Sequence, residues 1–401
     1  VDLDVIEALV ESADTKIVLL VMDGLGGLAG AESGKTALEA ARTPHLDKLA
    51  AQGICGLHES VRAGITPGSG PAHLALFGYD PLRYQVGRGV LAALGIGFDL
   101  QQGDVAARGN FCTVDEEGRI ADRRAGRIPT SENEELCGLL RQIELPDVEV
   151  FVETVKEYRL LLVLRGEGLS GAIEDTDPQE VGEKPLDPEP RTTEAQHTAD
   201  LVREFVRQAG EILSGREPAN MVLLRGFSKR PSWPRFPDVF GLRAGAVAAY
   251  PMYRGVAKLV GMDVLESGSE LEEEFATVER HWEGYDFYFL HAKHMDSAGE
   301  DGNMDEKVAR IEEVDALVPR LLDLEPDVLV VTGDHSTPVR MRYHSWHPVP
   351  TLLWSEYCRR DDVSTFGETA CLHGGLGPRF PATDLMPLAL AHARRLRKFG
   401  A

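Results

Sequence analysis

Cysteine is scarce and badly placed for crosslinking. The five thiols, Cys55, Cys112, Cys137, Cys358 and Cys371, are odd in number, scattered and never spaced CxxC. That pattern excludes a disulfide framework and a clustered structural zinc site. Long apolar runs are missing too: no stretch approaches the roughly 20 residues that cross a bilayer, and no secretory leader is expected. The expectation is a cytoplasmic protein. Positive charge is the third deficit. Against 65 Asp and Glu stand 42 Lys and Arg, a formal net charge of −23. Nucleic acid and anionic membranes demand a positive field and are excluded as main partners. No short repeat occurs. GxSxG is absent, so an α/β-hydrolase elbow has no support.

What remains is ordinary globular composition, 43% hydrophobic and 27% charged over 401 residues. That length suggests two domains, or one core with a large insertion. The run Lys16–Met22 is continuously apolar after its first residue and ends at Asp23-Gly24. It reads as a strand of a parallel sheet, buried on both faces. Asp286–Lys293 and Asp327–Thr332 have the same form and run into His294-Met295-Asp296 and Gly333-Asp334-His335. In open α/β sheets, sites lie at the carboxyl ends of strands, so these distant loops are expected to converge. Thr43 and Pro44 open a helix, as N-cap and first helical residue. The middle of the chain differs. Residues 105–240 hold short strands at Val148–Val152 and Leu160–Leu164 and a Pro/Asp/Glu-rich loop from Asp175 to Pro190. They read as an inserted α+β substrate domain, with residues 1–104 and 241–401 forming the core; Tyr253–Val260 is expected to be helical.

Asp23, Asp296, Glu300, Asp334 and His335 follow these strand ends, with His344 and His347 shortly after, and oxygen/nitrogen sets of this kind suit divalent manganese or zinc. Any one of them is ordinary by itself, since Asp caps helices and isolated His is common. Five at the ends of three buried strands are not. Ser69 lies in Thr66–His73 between Gly and Pro residues, on a turn expected to open a helix, whose free N–H groups suit phosphate. Metal coordination is one way to activate such a hydroxyl. Arg108, Arg123, Arg124 and Arg127 form a local cationic concentration in an acidic chain, with Arg254 and Lys293 elsewhere. Guanidinium forks match phosphate and carboxylate oxygens.

The chain resembles the cofactor-independent (2,3-bisphosphoglycerate-independent) phosphoglycerate mutases of the archaeal type, within the alkaline phosphatase superfamily. The resemblance spans nearly the whole sequence. It rests on Val21–Gly27, Thr43–Leu49, Thr66–Pro81, Gly87–Gly89, Gly103–Phe111, Asp122–Ile128, Arg165–Leu169, Asp175–Pro178, Ala249–Gly255, Gly333–Pro338, His344–Pro350 and Lys398–Ala401.

The resemblance implies an alkaline-phosphatase-like α/β core with a central, mostly parallel sheet, interrupted by the substrate domain. It implies two divalent metal ions, with Mn2+ preferred over Zn2+, Co2+ or Mg2+, and no 2,3-bisphosphoglycerate. By motif match Asp23, Ser69, Asp334 and His335 fall on one metal position; Asp296, Glu300 and His344 fall on the other. Ser69 falls on the serine that becomes phosphorylated. Arg108, Arg124, Arg127, Arg254 and Lys293 are the expected contacts to a small phosphorylated substrate, and a monomer is the default. Two positions depart from the pattern. The loop Asp296–Gly302 carries Glu300 where the family usually has His, and His347 with Trp346 stands where it tends to have Asp and a small residue. A carboxylate at 300 favours harder cations, and His347 is a candidate to restore the imidazole. The implied activity is interconversion of 3-phosphoglycerate and 2-phosphoglycerate. The alternatives are a specialised homologue acting on another phosphate or phosphonate compound, and a catalytically inactive binding protein.

Overall fold

A computed structural model describes residues 2–30 and 34–400; Ala401, the end of the last matched motif, lies outside them. The chain divides into two compact units, Val1–Gln85 with Trp233–Ala401, and Val86–Ser232. The division falls earlier than the expected 105 and 240 at both ends. Helix Arg88–Gly95 explains the first shift, because it packs on three strands of the second unit. Gly89 permits that contact: a Cβ there would lie 2.1 Å from the Ala106 carbonyl oxygen. At the other end, the chain is back in the first unit before helix Phe236–Phe240.

In chain order the strands are β1 (Ile17–Met22), β2 (Ile54–Glu59), β3 (Val105–Val114), β4 (Ile120–Asp122), β5 (Glu149–Lys156), β6 (Arg159–Arg165) and β7 (Met221–Ser228). They continue with β8 (Ala244–Ala248), β9 (Asp263–Val264), β10 (Phe287–Ala292), β11 (Val328–Thr332), β12 (Val349–Ser355) and β13 (Gly377–Pro381). The first unit holds one eight-stranded sheet, ordered β13-β2-β12-β11-β1-β10-β8-β9. Only β12 runs against its neighbours, so the fold is α/β with a mixed, mostly parallel sheet. The three apolar runs singled out in the sequence are adjacent at its centre. Ile17 sits in register with Phe287 on one side and Val328 on the other. All six residues of β1 and of β10 are buried, as two-sided packing demands.

Helix Pro44–Ala50 starts where Thr43 and Pro44 predict, but the Thr43 side chain makes no cap. Asp315, on helix Met304–Leu322, accepts from the His45 and Leu46 N–H groups instead, at 3.1 and 2.8 Å. The free helix end is satisfied by a neighbour rather than locally. In the second unit, antiparallel β3 is bracketed by β6 and β7, with β5 outside β6. Helices Thr130–Leu140 and Gln196–Leu213 contribute to its separate core.

Candidate metal centre

β1, β10 and β11 all point the same way, so their carboxyl ends deliver Asp23, Lys293 with Asp296, and Asp334 with His335 to one place. Two overlapping groups form there. Asp23, Asp334 and His335 offer ligand atoms within 4.8 Å of one another, and so do Asp296, His335 and His344. His335 belongs to both groups, whereas the motif match places it in one. Its ring stacks on His344 at 3.6 Å between centroids.

Hydrogen bonds fix the imidazole tautomers. Thr337 Oγ1 donates to Asp296 Oδ1 at 2.8 Å and lies 3.0 Å from His335 Nδ1. With its proton committed to the carboxylate, the hydroxyl accepts from Nδ1–H, which leaves the His335 Nε2 lone pair free. His344 Nδ1 faces the Pro67 carbonyl at 3.0 Å. A carbonyl only accepts, so Nδ1 carries the proton and Nε2 again presents a lone pair. The fit to cations is carried by oxygens: Asp23 Oδ1 and Asp334 Oδ2 are buried with no hydrogen-bond partner. Buried, unpaired carboxylate oxygens are costly unless a cation meets them.

Electrostatics agree. Lys293 Nζ bridges Asp23 Oδ2 and Asp296 Oδ2 at 2.8 Å each. Burial works to raise the Asp23 pKa, but the Lys293 ammonium overrides it and holds the carboxyl well below the usual range. Burial, then the charge of Asp23, push Asp334 well above its usual value. Burial, followed by neighbouring His344, keeps His335 neutral far below the usual imidazole range. Gly24, at φ +66°, supplies the turn that brings the β1 loop against Thr337; a Cβ there would lie 2.7 Å from Thr337 Oγ1.

Ser69 opens helix Ser69–Leu76, with Gly68 before it giving no side-chain cap. Its Oγ is 3.3 Å from His335 Nε2. Glu300 stands outside both ligand groups, half exposed, with Oε1 4.0 Å from His344 Nε2. His347 restores no imidazole here. Its Nδ1 pairs with Ser345 Oγ at 2.9 Å and its ring stacks on Trp346, which holds it outside both groups.

Three residues missed in the sequence lie beneath this site. Tyr253 donates its hydroxyl to Asp23 Oδ2, His291 Nε2 is 3.7 Å from the same oxygen, and His73 Nδ1 is 3.4 Å from Asp334 Oδ2. His73 follows Ser69 by one helical turn, and His291 is an imidazole inside an otherwise apolar run; both were visible signals. Burial pushes His73 down to about 4.

The expected arginines divide. Arg108 on β3 is paired in register with Arg225 on β7, and Arg88 lies close enough to feel the charge of Arg225. Arg123 forks onto the buried carboxylate of Asp177 at 3.0 and 2.6 Å, which also lies 3.5 Å from Arg225. Arg124 and Arg127 stay exposed. Arg254, beside Tyr253 on helix Pro251–Leu259, pairs with Glu266. No described helix is long and apolar enough to cross a membrane.

Known proteins resemble the chain along its full length. The family described as 2,3-bisphosphoglycerate-independent phosphoglycerate mutase matches residues 50–220. A Thermotoga neapolitana protein named "Probable 2,3-bisphosphoglycerate-independent phosphoglycerate mutase" is 50% identical over 99% of this chain and 98% of its own. One of the same name from Aquifex aeolicus is 49% identical over 100% of both. Among solved structures, a protein from Pyrococcus horikoshii superposes with TM-score 0.84 at 31% identity, covering 97% of this chain and 100% of its own. The cofactor-independent phosphoglycerate mutase of Thermoplasma acidophilum gives 0.68 at 29%, covering 94% and 99%.

Proposed function

The chain belongs to the 2,3-bisphosphoglycerate-independent phosphoglycerate mutase family, and on that premise we propose how its own residues interconvert 3-phosphoglycerate and 2-phosphoglycerate. The observation that carries the reading is the position of Ser69: a hydroxyl at an uncapped helix N-terminus, 3.3 Å from an imidazole shared by two ligand groups.

Asp23, Asp334, His335 and Ser69 would hold one divalent ion, and Asp296 and His344, with the shared His335, a second. Mn2+ is the proposed occupant, because carboxylates and imidazoles together suit it. Bound ions supply positive charge that keeps the Ser69 oxygen ionised and offsets charge on the transferring phosphoryl group.

The Ser69 oxygen attacks phosphorus, the bond from phosphorus to the glycerate oxygen breaks, and phosphoserine forms. The glycerate oxygen takes up a proton. The other glycerate hydroxyl then loses its proton, attacks the phosphoserine and regenerates Ser69. The free N–H groups of helix Ser69–Leu76 face the phosphoryl oxygens, and Lys293 keeps Asp23 ionised while bridging it to Asp296. Arg108, with Arg88 and Arg225, forms a second anion-binding patch within the other unit. Water must be kept out while the phosphoserine exists, or phosphate is lost.

The test is turnover of 3-phosphoglycerate with Mn2+, coupled to enolase. Ser69→Ala is expected to abolish both turnover and covalent labelling by phosphosubstrate. Retained mutase activity in that variant sinks the mechanism. Normal Mn2+-dependent turnover by the parent chain eliminates the inactive-homologue reading.

A further inference from the structure

Lys307 lies on the first turn of helix Met304–Leu322 and is fully buried. Its ammonium has three donors, and three backbone carbonyls take them: Gly24 at 2.7 Å, Thr337 at 2.8 Å and Gly26 at 3.2 Å. Gly24 and Gly26 belong to the loop that presents Asp23; Thr337 belongs to the loop that presents Asp334 and His335. One side chain therefore joins the two loops through their main chains.

A second, half-buried group holds the same loop. Glu368 accepts from the Gly27 N–H at 2.9 Å and from the Thr36 hydroxyl at 2.6 Å. The β1 loop is thus gripped by a cation on its carbonyls and by a carboxyl group on its next N–H. A core position of this kind is filled at less expense by Leu or Met, because a buried ammonium loses its hydration. The lysine does what an apolar residue cannot: it satisfies three converging carbonyls and sets a positive charge behind Asp23 and Asp296, whose charges it feels.

We propose that Lys307 is a positioning residue, an internal cation that fixes the spacing between the Asp23 loop and the His335 loop and so the geometry of the divalent-metal positions. The proposal rests on the metal positions assigned above. Lys307 contacts no substrate and no ligand atom. It acts on Asp23 through Gly24, and on His335 and Asp296 through Thr337, whose hydroxyl touches both.

The experiment compares the full chain with Lys307→Met, which keeps the length of the side chain and removes its charge and donors, and with Lys307→Arg. Mn2+ binding is measured by calorimetry, and 3-phosphoglycerate turnover in parallel. Groups that orient metal ligands are worth about 10–100-fold in metal affinity or activity. Lys307→Met is expected to weaken Mn2+ binding and to lower kcat within that range, with KM for 3-phosphoglycerate unchanged; Lys307→Arg is expected to recover part of both. A folded Lys307→Met protein with parental Mn2+ affinity overturns the proposal, and so does a loss confined to KM.

The calorimetric arm needs no turnover. If the parent binds Mn2+ but does not convert 3-phosphoglycerate, the functional reading fails while the role of Lys307 is still decided. If Lys307→Met does not fold, the parent chain labelled with 15N at lysine Nζ decides it. A slowly exchanging ammonium resonance, absent in Lys307→Arg, should shift when Mg2+ is added, and an unmoved resonance overturns the proposal.

Discussion

Thr337 has one hydroxyl, and it is committed to a candidate ligand in each metal group, Asp296 and His335. Thr337→Val keeps the shape and removes both bonds. It leaves His335 free to take the other tautomer and Asp296 free to turn. Divalent-metal affinity is expected to fall by about 10–100-fold, read by calorimetry, with little change in thermal stability of the metal-free protein. Glu274 gives a different residue-level test, remote from turnover. Its carboxyl is buried and accepts the Ala249 N–H at 2.8 Å. Burial pushes its pKa up to about 8, from an ordinary glutamate value of 4.5. Between those values the folded chain keeps a proton that the unfolded chain has released. Stability is therefore present at low pH and falls as pH rises through this window, by up to about 1.4 kcal/mol per unit. Glu274→Gln should remove that slope, so its advantage in urea midpoint over the parent should grow from pH 5 to pH 8. An unchanged difference across that range refutes it. Residues at this scale were unevenly legible. Asp23, Asp334, His335 and Asp296 stood out because they follow apolar runs, and His344 because it comes shortly after the last of them. Lys307, Tyr253 and Glu368 did not, because a charged or polar residue on a helix reads as solvent-facing until the fold buries it. Arg123 could not be told from Arg124 and Arg127, since only the partner, Asp177 on a distant loop, separates them.

At the scale of elements, the strands were the most readable feature. Continuous apolar runs ending in Gly, Asp or His announced β1, β10 and β11, and parallel pairing follows from burial on both faces. The order β11-β1-β10 was not written locally, because pairing joins segments far apart in sequence. Helix Pro44–Ala50 shows the same limit. Its start was legible from Pro44, but its cap comes from Asp315 on another helix. Asp315→Ala leaves two helix N–H groups without that partner in a buried setting. The expected loss is about 1–3 kcal/mol, seen as a lower urea midpoint with an unchanged slope. Thr43→Ala, which removes no cap bond, should stay within about 0.5 kcal/mol of the parent. Equal losses at the two positions would contradict the assignment.

For the whole molecule, a small part of the −23 charge is gathered at one point: Asp23 and Asp296 share the Lys293 ammonium, and Asp334 lies beside Asp23. Divalent ions that bind the folded chain and not the unfolded one raise its stability by mass action, about 2.7 kcal/mol at a hundredfold excess over Kd. Chelation is expected to lower Tm by several degrees, and Mn2+ to restore it. A Tm indifferent to chelator and to Mn2+ would remove the metal centre from the account.

The order of strands in the large sheet also matters for how the chain is made. β1 is translated well before both of its neighbours: β10 and β11 follow on the order of 300 residues later, roughly 15 s to 1 min at ordinary rates of synthesis. During that interval six consecutive apolar residues, Ile17–Met22, have neither flanking strand. The second unit is one unbroken segment with its own core, so it can complete itself while β1 waits. The candidate metal centre therefore assembles late: its residues come together only when β11 and His344 beyond it join a strand made long before them.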